Sequence, residues 1–200
     1  MTWTATVRYG MEPAPGGLGF VHDFLNTVAA GKPRKPDLLT EVGLARAWLA
    51  EAGEVLEGAA HCELGGTDLA VLRRLRDRLH FALVQAQEGA VPMQDIEAVS
   101  SAVAVAVPLN ADLLPDGTVR LVPRAKGWKF VAAGLLREVY RAQEADEWRR
   151  LKACRSERCP GVFYDRSRNN RGAWHDVRTC GNVANLRASR ERKRAAQIGS

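Results

Sequence analysis

Four residues near the carboxyl end constrain this chain more than any others. Cys154 and Cys159 are separated by four residues, fifteen more follow, and His175 and Cys180 repeat the short gap, giving C-x4-C-x15-H-x4-C. Two short-spaced pairs let two local turns each supply two ligands, the usual way a small module closes on a tetrahedral zinc ion. Three sulfurs and one imidazole fill all four positions, so the expected role of a single zinc ion is structural. The alternatives are a Cys154–Cys159 disulfide or free thiols, and Asp176 or another His in place of His175.

The sequence between and after the pairs predicts the rest of the module. Gly161-Val162-Phe163-Tyr164-Asp165 reads as a short strand and Asn169-Asn170-Arg171-Gly172 as a turn, so a β-hairpin is expected between the two ligand pairs. Trp174 is expected beside the metal. Beyond Cys180, the run from Val183 to Ala188 has good helix formers and no Pro. A knuckle, a hairpin and a helix carrying the last ligand at its start make a treble-clef-like zinc finger.

These residues also carry a resemblance. Phe163-Tyr164-Asp165-Arg166-Ser167-Arg168-Asn169, Ala173-Trp174-His175 and Cys180-Gly181-Asn182-Val183 resemble the F-Y-D-x-S-x-N, R-x-W-C and C-G-N-R segments of the bacterial CGNR zinc fingers. There are two departures: His175 stands where the family usually has Cys, and Val183 where it has the signature Arg. Either Val183 removes a rung from a basic stripe, or it packs near the metal.

Charge divides the chain in the same place. Between Arg149 and Arg194 there are fourteen Lys or Arg and four acids, which leaves fifteen basic and nineteen acidic residues elsewhere. An acidic body with a basic module is the distribution expected of a nucleic-acid-binding protein with a separate sensing or assembly domain. At about 100° per residue, Val183, Arg187, Arg190 and Arg194 share a helical stripe flanked by Arg192 and Lys193. Arg187, Arg190, Lys193 and Arg194 are therefore the candidate DNA-binding residues, since guanidiniums engage phosphates and guanine edges. A solvated tail is the alternative.

The remaining residues are enough for a core of ordinary size. The expected organisation is a domain over residues 1–148 and a finger over 149–200. Apolar positions 20, 21, 24, 25 and 28 predict an early helix. Its Phe24-Leu25-Asn26-Thr27 resembles the L-D-F-L-N-T opening of the ABATE domain, which is commonly found in front of CGNR fingers. Together the two resemblances imply a stress- or ligand-responsive bacterial transcription regulator. Asp23 and Asn26 are then candidate ligand-binding residues if they face a cavity, and helix-end hydrogen-bonding residues if they do not.

Elsewhere the pattern predicts a strand before Gly19, a helix ending near Ala52 and capped by Asp37 or Thr40, and a short helix between Glu54 and Gly66. A long helix capped by Thr67 is expected to reach Glu88, with Leu72, Leu75, Leu79 and Leu83 buried and Arg73, Arg74, Arg76, Asp77 and Arg78 solvated. A helix from Pro92 to about Ala102 follows. Strands at Ala104–Val107 and Thr118–Val122 would form a hairpin around Pro115-Asp116-Gly117. The last helix of the domain runs from Trp128 to about Trp148, burying Val131, Leu135, Leu136, Val139 and Tyr140. With no Gly/Ser linker after it, the two domains should pack together. The class is α+β, a mainly helical domain with a small sheet, followed by the finger.

Catalysis has less support. His22, His61 and His80 are scattered, Cys62 reads as a small buried hydrophobe, and no pocket of convergent titratable groups emerges. No apolar stretch reaches the roughly eighteen residues of a membrane span, and the first residues lack the features of a signal peptide. A cytoplasmic protein is expected, with DNA and a small-molecule effector as partners and a possible homodimer. A protein-interaction module whose finger is scaffolding is the alternative.

Overall fold

The computed structural model describes residues 3–31, 33–88, 107–183, 186 and 190. The core is built around α2 (Leu18–Leu25), all eight of whose residues are buried. Such a helix needs apolar neighbours on every side. Trp3 stacks on Phe20 at 6.2 Å between ring centroids, and Trp48 lies 5.7 Å from Phe20 and 5.8 Å from Phe24. Trp48 belongs to α3 (Val42–Ala50), and Trp3 leads into a short α1 (Thr4–Val7). The strand expected before Gly19 is thus a helical turn: Ala5 and Thr6 go into the core, and the Thr6 N–H donates to Asp23 Oδ1 at 2.6 Å.

The long helix α4 (Gly66–Glu88) buries Leu69, Leu72, Leu75, Leu79 and Leu83 along one side, the three-and-four spacing of its leucines. Two details differ from expectation. The first-turn carboxylate of Asp68, not Thr67, receives the Gly65 N–H. Arg76 is 5 % exposed and makes a two-pronged bond to Asp37 at 2.7 and 2.9 Å, with a third bond to Thr27 Oγ1. Asp37 therefore caps no helix. α3 begins only at Val42, without a side-chain cap from either Asp37 or Thr40. Arg73 also turns inward, donating to the Leu39 carbonyl. A run of charges gives no hint of which members a distant loop will claim.

β1 (Leu109–Leu113) and β2 (Val119–Pro123) form the expected antiparallel hairpin, with Gly117 at φ +82° in its turn. β1 lies later than the Ala104–Val107 segment: Val107 is not in a strand, and 104–106 fall outside the described residues, as does the helix expected from Pro92. α5 (Gly127–Glu144) buries Val131, Leu135 and Val139 as expected, but Tyr140 is exposed and Leu136 only half-buried. The places go to Arg137 and Glu138, a buried pair at 2.7 Å. The Arg137 guanidinium also donates to the Val55 and Leu121 carbonyls, tying α5 to the loop after α3 and to β2. Between α3 and α4 the short helix is a 3-10 turn, Ala59–His61.

A 3-10 turn at Trp148–Arg150 leads into β3 (Leu151–Ala153), which pairs antiparallel with β4 (Val162–Tyr164). The hairpin therefore encloses the Cys154–Cys159 knuckle instead of lying between the two ligand pairs. Leu151 and Val162 are buried in the same core as α2 and α4, so finger and large domain pack together. The architecture is α+β, a mainly helical domain followed by a treble-clef-like finger. Among the described residues no helix is long and apolar enough to cross a membrane.

Candidate metal centre

The knuckle is shaped by backbone bonds. Cys154 N–H donates to the Gly161 carbonyl at 2.9 Å, and Cys159 N–H to the Ser156 carbonyl at 2.8 Å, so the chain reverses and both thiols face one point. On the other side, Asp176 organises a π turn, Val177–Gly181. Its side chain accepts from Arg178 N–H, and its carbonyl accepts from Cys180 N–H at 2.9 Å. Asp176 is thus committed to capping, and His175 turns its Nδ1 toward the sulfurs.

The donor atoms of Cys154, Cys159, His175 and Cys180 all lie within 4.8 Å of one another. His175 Nδ1 is 3.3 Å from Cys159 Sγ and 3.5 Å from Cys180 Sγ. A tetrahedral zinc ion with sulfur at about 2.3 Å and nitrogen at about 2.0 Å places neighbouring ligands roughly 3.5–3.8 Å apart. The four residues therefore fit one structural zinc ion. All four cysteines of the chain are free thiols, so no disulfide competes for the pair.

Through its hydrogen bond from Cys159, the Cys154 thiol is pushed down to about 3. That same bond pushes Cys159 up, and burial pushes Cys180 up. Protein groups alone stabilise one thiolate and oppose the others, whereas a divalent cation allows all three. Cys154 and Cys180 are buried, while Cys159 and His175 are half-buried.

Packing around the cluster is close. A Cβ on Gly181 would lie 3.2 Å from Trp174 and 3.3 Å from Val177, so Trp174 does sit tightly against the last ligand's turn. Tyr9 reaches the cluster from the amino-terminal segment, its ring 5.8 Å from that of His175 and edge-on. Nothing in the spacing around Tyr9 announces this contact.

The loop after β4 is held by a buried ion pair. Lys152 Nζ donates to Asp165 Oδ2 at 2.7 Å and to the Asn170 carbonyl at 2.6 Å. Asp165 also accepts from Ser167 and Gly172 N–H. Burial alone would raise its pKa, but the Lys152 ammonium and these donors outweigh it and hold the carboxyl well below the usual range. The aspartate of the F-Y-D-x-S-x-N segment is thus the organiser of the loop that leads to His175.

Asp23 and Asn26 are fully buried, and neither is open to solvent. Asp23 accepts from Thr6 N–H and from Trp48 Nε1 at 2.9 Å, and burial pushes its carboxyl up. Asn26 donates to the Val162 carbonyl and accepts from the Val162 N–H, both at 2.9 Å. Their polar atoms serve hydrogen bonds within the protein, as helix-end residues would.

At the opposite edge of the hairpin, Gln87 does the same for Ala153, accepting its N–H at 2.8 Å and donating to its carbonyl at 3.1 Å. Ala153 and Val162 are register partners whose peptide groups point outward. Two carboxamides therefore complete the sheet on both sides. Gln87 sits at the end of a long helix, and no sequence signal marks it.

Of the candidate DNA-binding residues, Arg190 is exposed, and Arg187, Lys193 and Arg194 lie outside the described residues. Val183 is 44 % exposed and Leu186 53 %.

Comparison with known families gives two matches. Residues 150–193 match the model of the CGNR zinc finger. Residues 19–142 match that of the ABATE family, described as "putative stress-induced transcription regulator". Neither description is of an enzyme. No curated protein matches the chain. With more than half its length covered by the second match, this chain belongs to the ABATE family and carries a CGNR zinc finger at its carboxyl end.

Proposed function

We propose that this protein is a zinc-containing, DNA-binding transcription regulator whose larger domain responds to a ligand or to stress. The observation that carries the reading is the continuity between the metal centre and the basic segment. Cys180 lies in a π turn that continues into helix at Asn182 and Val183, so the zinc ion fixes the start of the segment holding Arg187, Arg190, Lys193 and Arg194. A metal-anchored helix start with cations downstream supports engagement of phosphates and base edges. A homodimer would present two such segments to two half-sites.

The test is titration of zinc-loaded protein against duplex DNA at several salt concentrations, beside the variant with Arg187, Arg190 and Arg194 changed to Ala. A steep salt dependence that flattens in the variant is expected. Negligible binding by both proteins with zinc retained would overturn the reading. It would leave the finger as scaffolding for protein interaction, an alternative favoured by the burial of Leu151 and Val162 in the main core.

A further inference from the structure

A groove of about 560 Å³ runs between the end of α4 and the finger, and none of the four candidate zinc ligands lines it. That is within the roughly 300–1,000 Å³ typical of small-molecule sites. Its apolar lining includes Leu83, Ala86, Leu151 and Trp148.

Its charge is one-sided. Arg149, Lys152, Arg155 and Arg171 line it, and no carboxylate does. Lys152 is spent on Asp165. Arg149 shares Asp146, but both partners are more than half exposed, so the pair is weak. Arg155 and Arg171 are exposed and form no ion pair among the described residues. Forked guanidiniums gathered at one cleft are suited to phosphate.

One other group narrows the ligand. Trp148, half-buried in the lining, offers an indole to a flat ring. We propose that this groove binds a mononucleotide, its phosphate held by Arg149, Arg155 and Arg171 and its base beside Trp148. The concave shape suits one nucleotide better than a duplex, whose phosphates lie on a convex surface.

Gln87, which clamps Ala153, forms part of the same wall, so a bound nucleotide abuts the joint between the large domain and the finger. Regulation of the finger through that joint rests on the proposed function; the binding itself does not depend on DNA affinity.

Calorimetric titration of the zinc-loaded full chain with adenosine and guanosine monophosphate, and with inorganic phosphate, tests the site. Saturable nucleotide binding is expected, weakened on the order of tenfold or more in the Arg155→Ala/Arg171→Ala variant, whose two exposed positions leave zinc content unchanged. Trp148→Ala should erase the preference for nucleotide over inorganic phosphate. The proposal is overturned if neither nucleotide binds at millimolar concentration, or if the double variant binds it as tightly as the parent. Equal binding of inorganic phosphate and nucleotide by the parent would also overturn it. A loss confined to duplex DNA affinity in the double variant, with no nucleotide binding by the parent, would assign these arginines to the DNA surface.

Discussion

Asn26 and Val162 exchange two hydrogen bonds across 136 residues of sequence, each 2.9 Å long. One amide at the end of α2 thereby stands in for the backbone of a third strand beside β4. The Val162 carbonyl receives a further bond from His22 Nε2 at 2.9 Å, but the Val162 N–H has Asn26 alone.

Replacing Asn26 by Ala should therefore orphan a buried N–H and cost about 2 kcal/mol or somewhat more. Urea unfolding followed by tryptophan fluorescence measures this. A loss under about 0.5 kcal/mol would mean that water takes over the amide's bonds.

Gln87→Ala should cost less, about 1 kcal/mol, because Gln87 is only half-buried. The two amides grip register partners, so the losses should not add. A double-mutant cycle with Asn26→Ala should give an interaction of about 0.5 kcal/mol or more, whereas strict additivity would show that the hairpin edges act independently.

His22 supplies an acid sensitivity. It is fully buried, its Nδ1 accepts from Ala14 N–H, and burial lowers its pKa to about 4. The folded pKa lies below the unfolded value, so the stabilisation is complete above about pH 6.5 and is lost as pH falls toward 4. Stability should drop by about 1.4 kcal/mol per pH unit across that window, to an order of 3 kcal/mol in all. Unfolding at a series of pH values, with zinc content followed in parallel, separates this from metal loss. A flat profile with zinc retained would contradict it.

Zinc removal should affect more than the finger. Leu151 and Val162 belong to the main core, so a chelator should lower the unfolding midpoint of the whole chain in one transition. His175→Cys should keep one zinc per chain and His175→Ala should bind it more weakly, as read by metal quantification after dialysis. Two separate thermal transitions in the parent would show that the finger melts independently.

The metal ligands were legible because their spacing is local: each pair lies within one turn, and a turn can be read from adjacent residues. The leucines of α4 were legible for the same reason. The strand partner of β4 was not, because β3 lies before the first cysteine and a short strand carries no mark of its partner. Likewise, Arg76 looked like its solvated neighbours until a loop brought Asp37 against it, and Tyr140 occupied a helical position suited to burial that Arg137 and Glu138 took through contacts outside their own helix. Asn26 stood out in sequence, but its use depends on Val162, which only the folded chain supplies.

The carboxamides on either side of the hairpin also restrict what can approach it. The outward peptide groups of Ala153 and Val162 are already engaged by Gln87 and Asn26. A peptide cannot dock there by extending the sheet, the commonest way an exposed strand recruits a partner. A partner that meets the hairpin at these two positions must be recognised through side chains, so their chemistry, and not the backbone, sets the choice there.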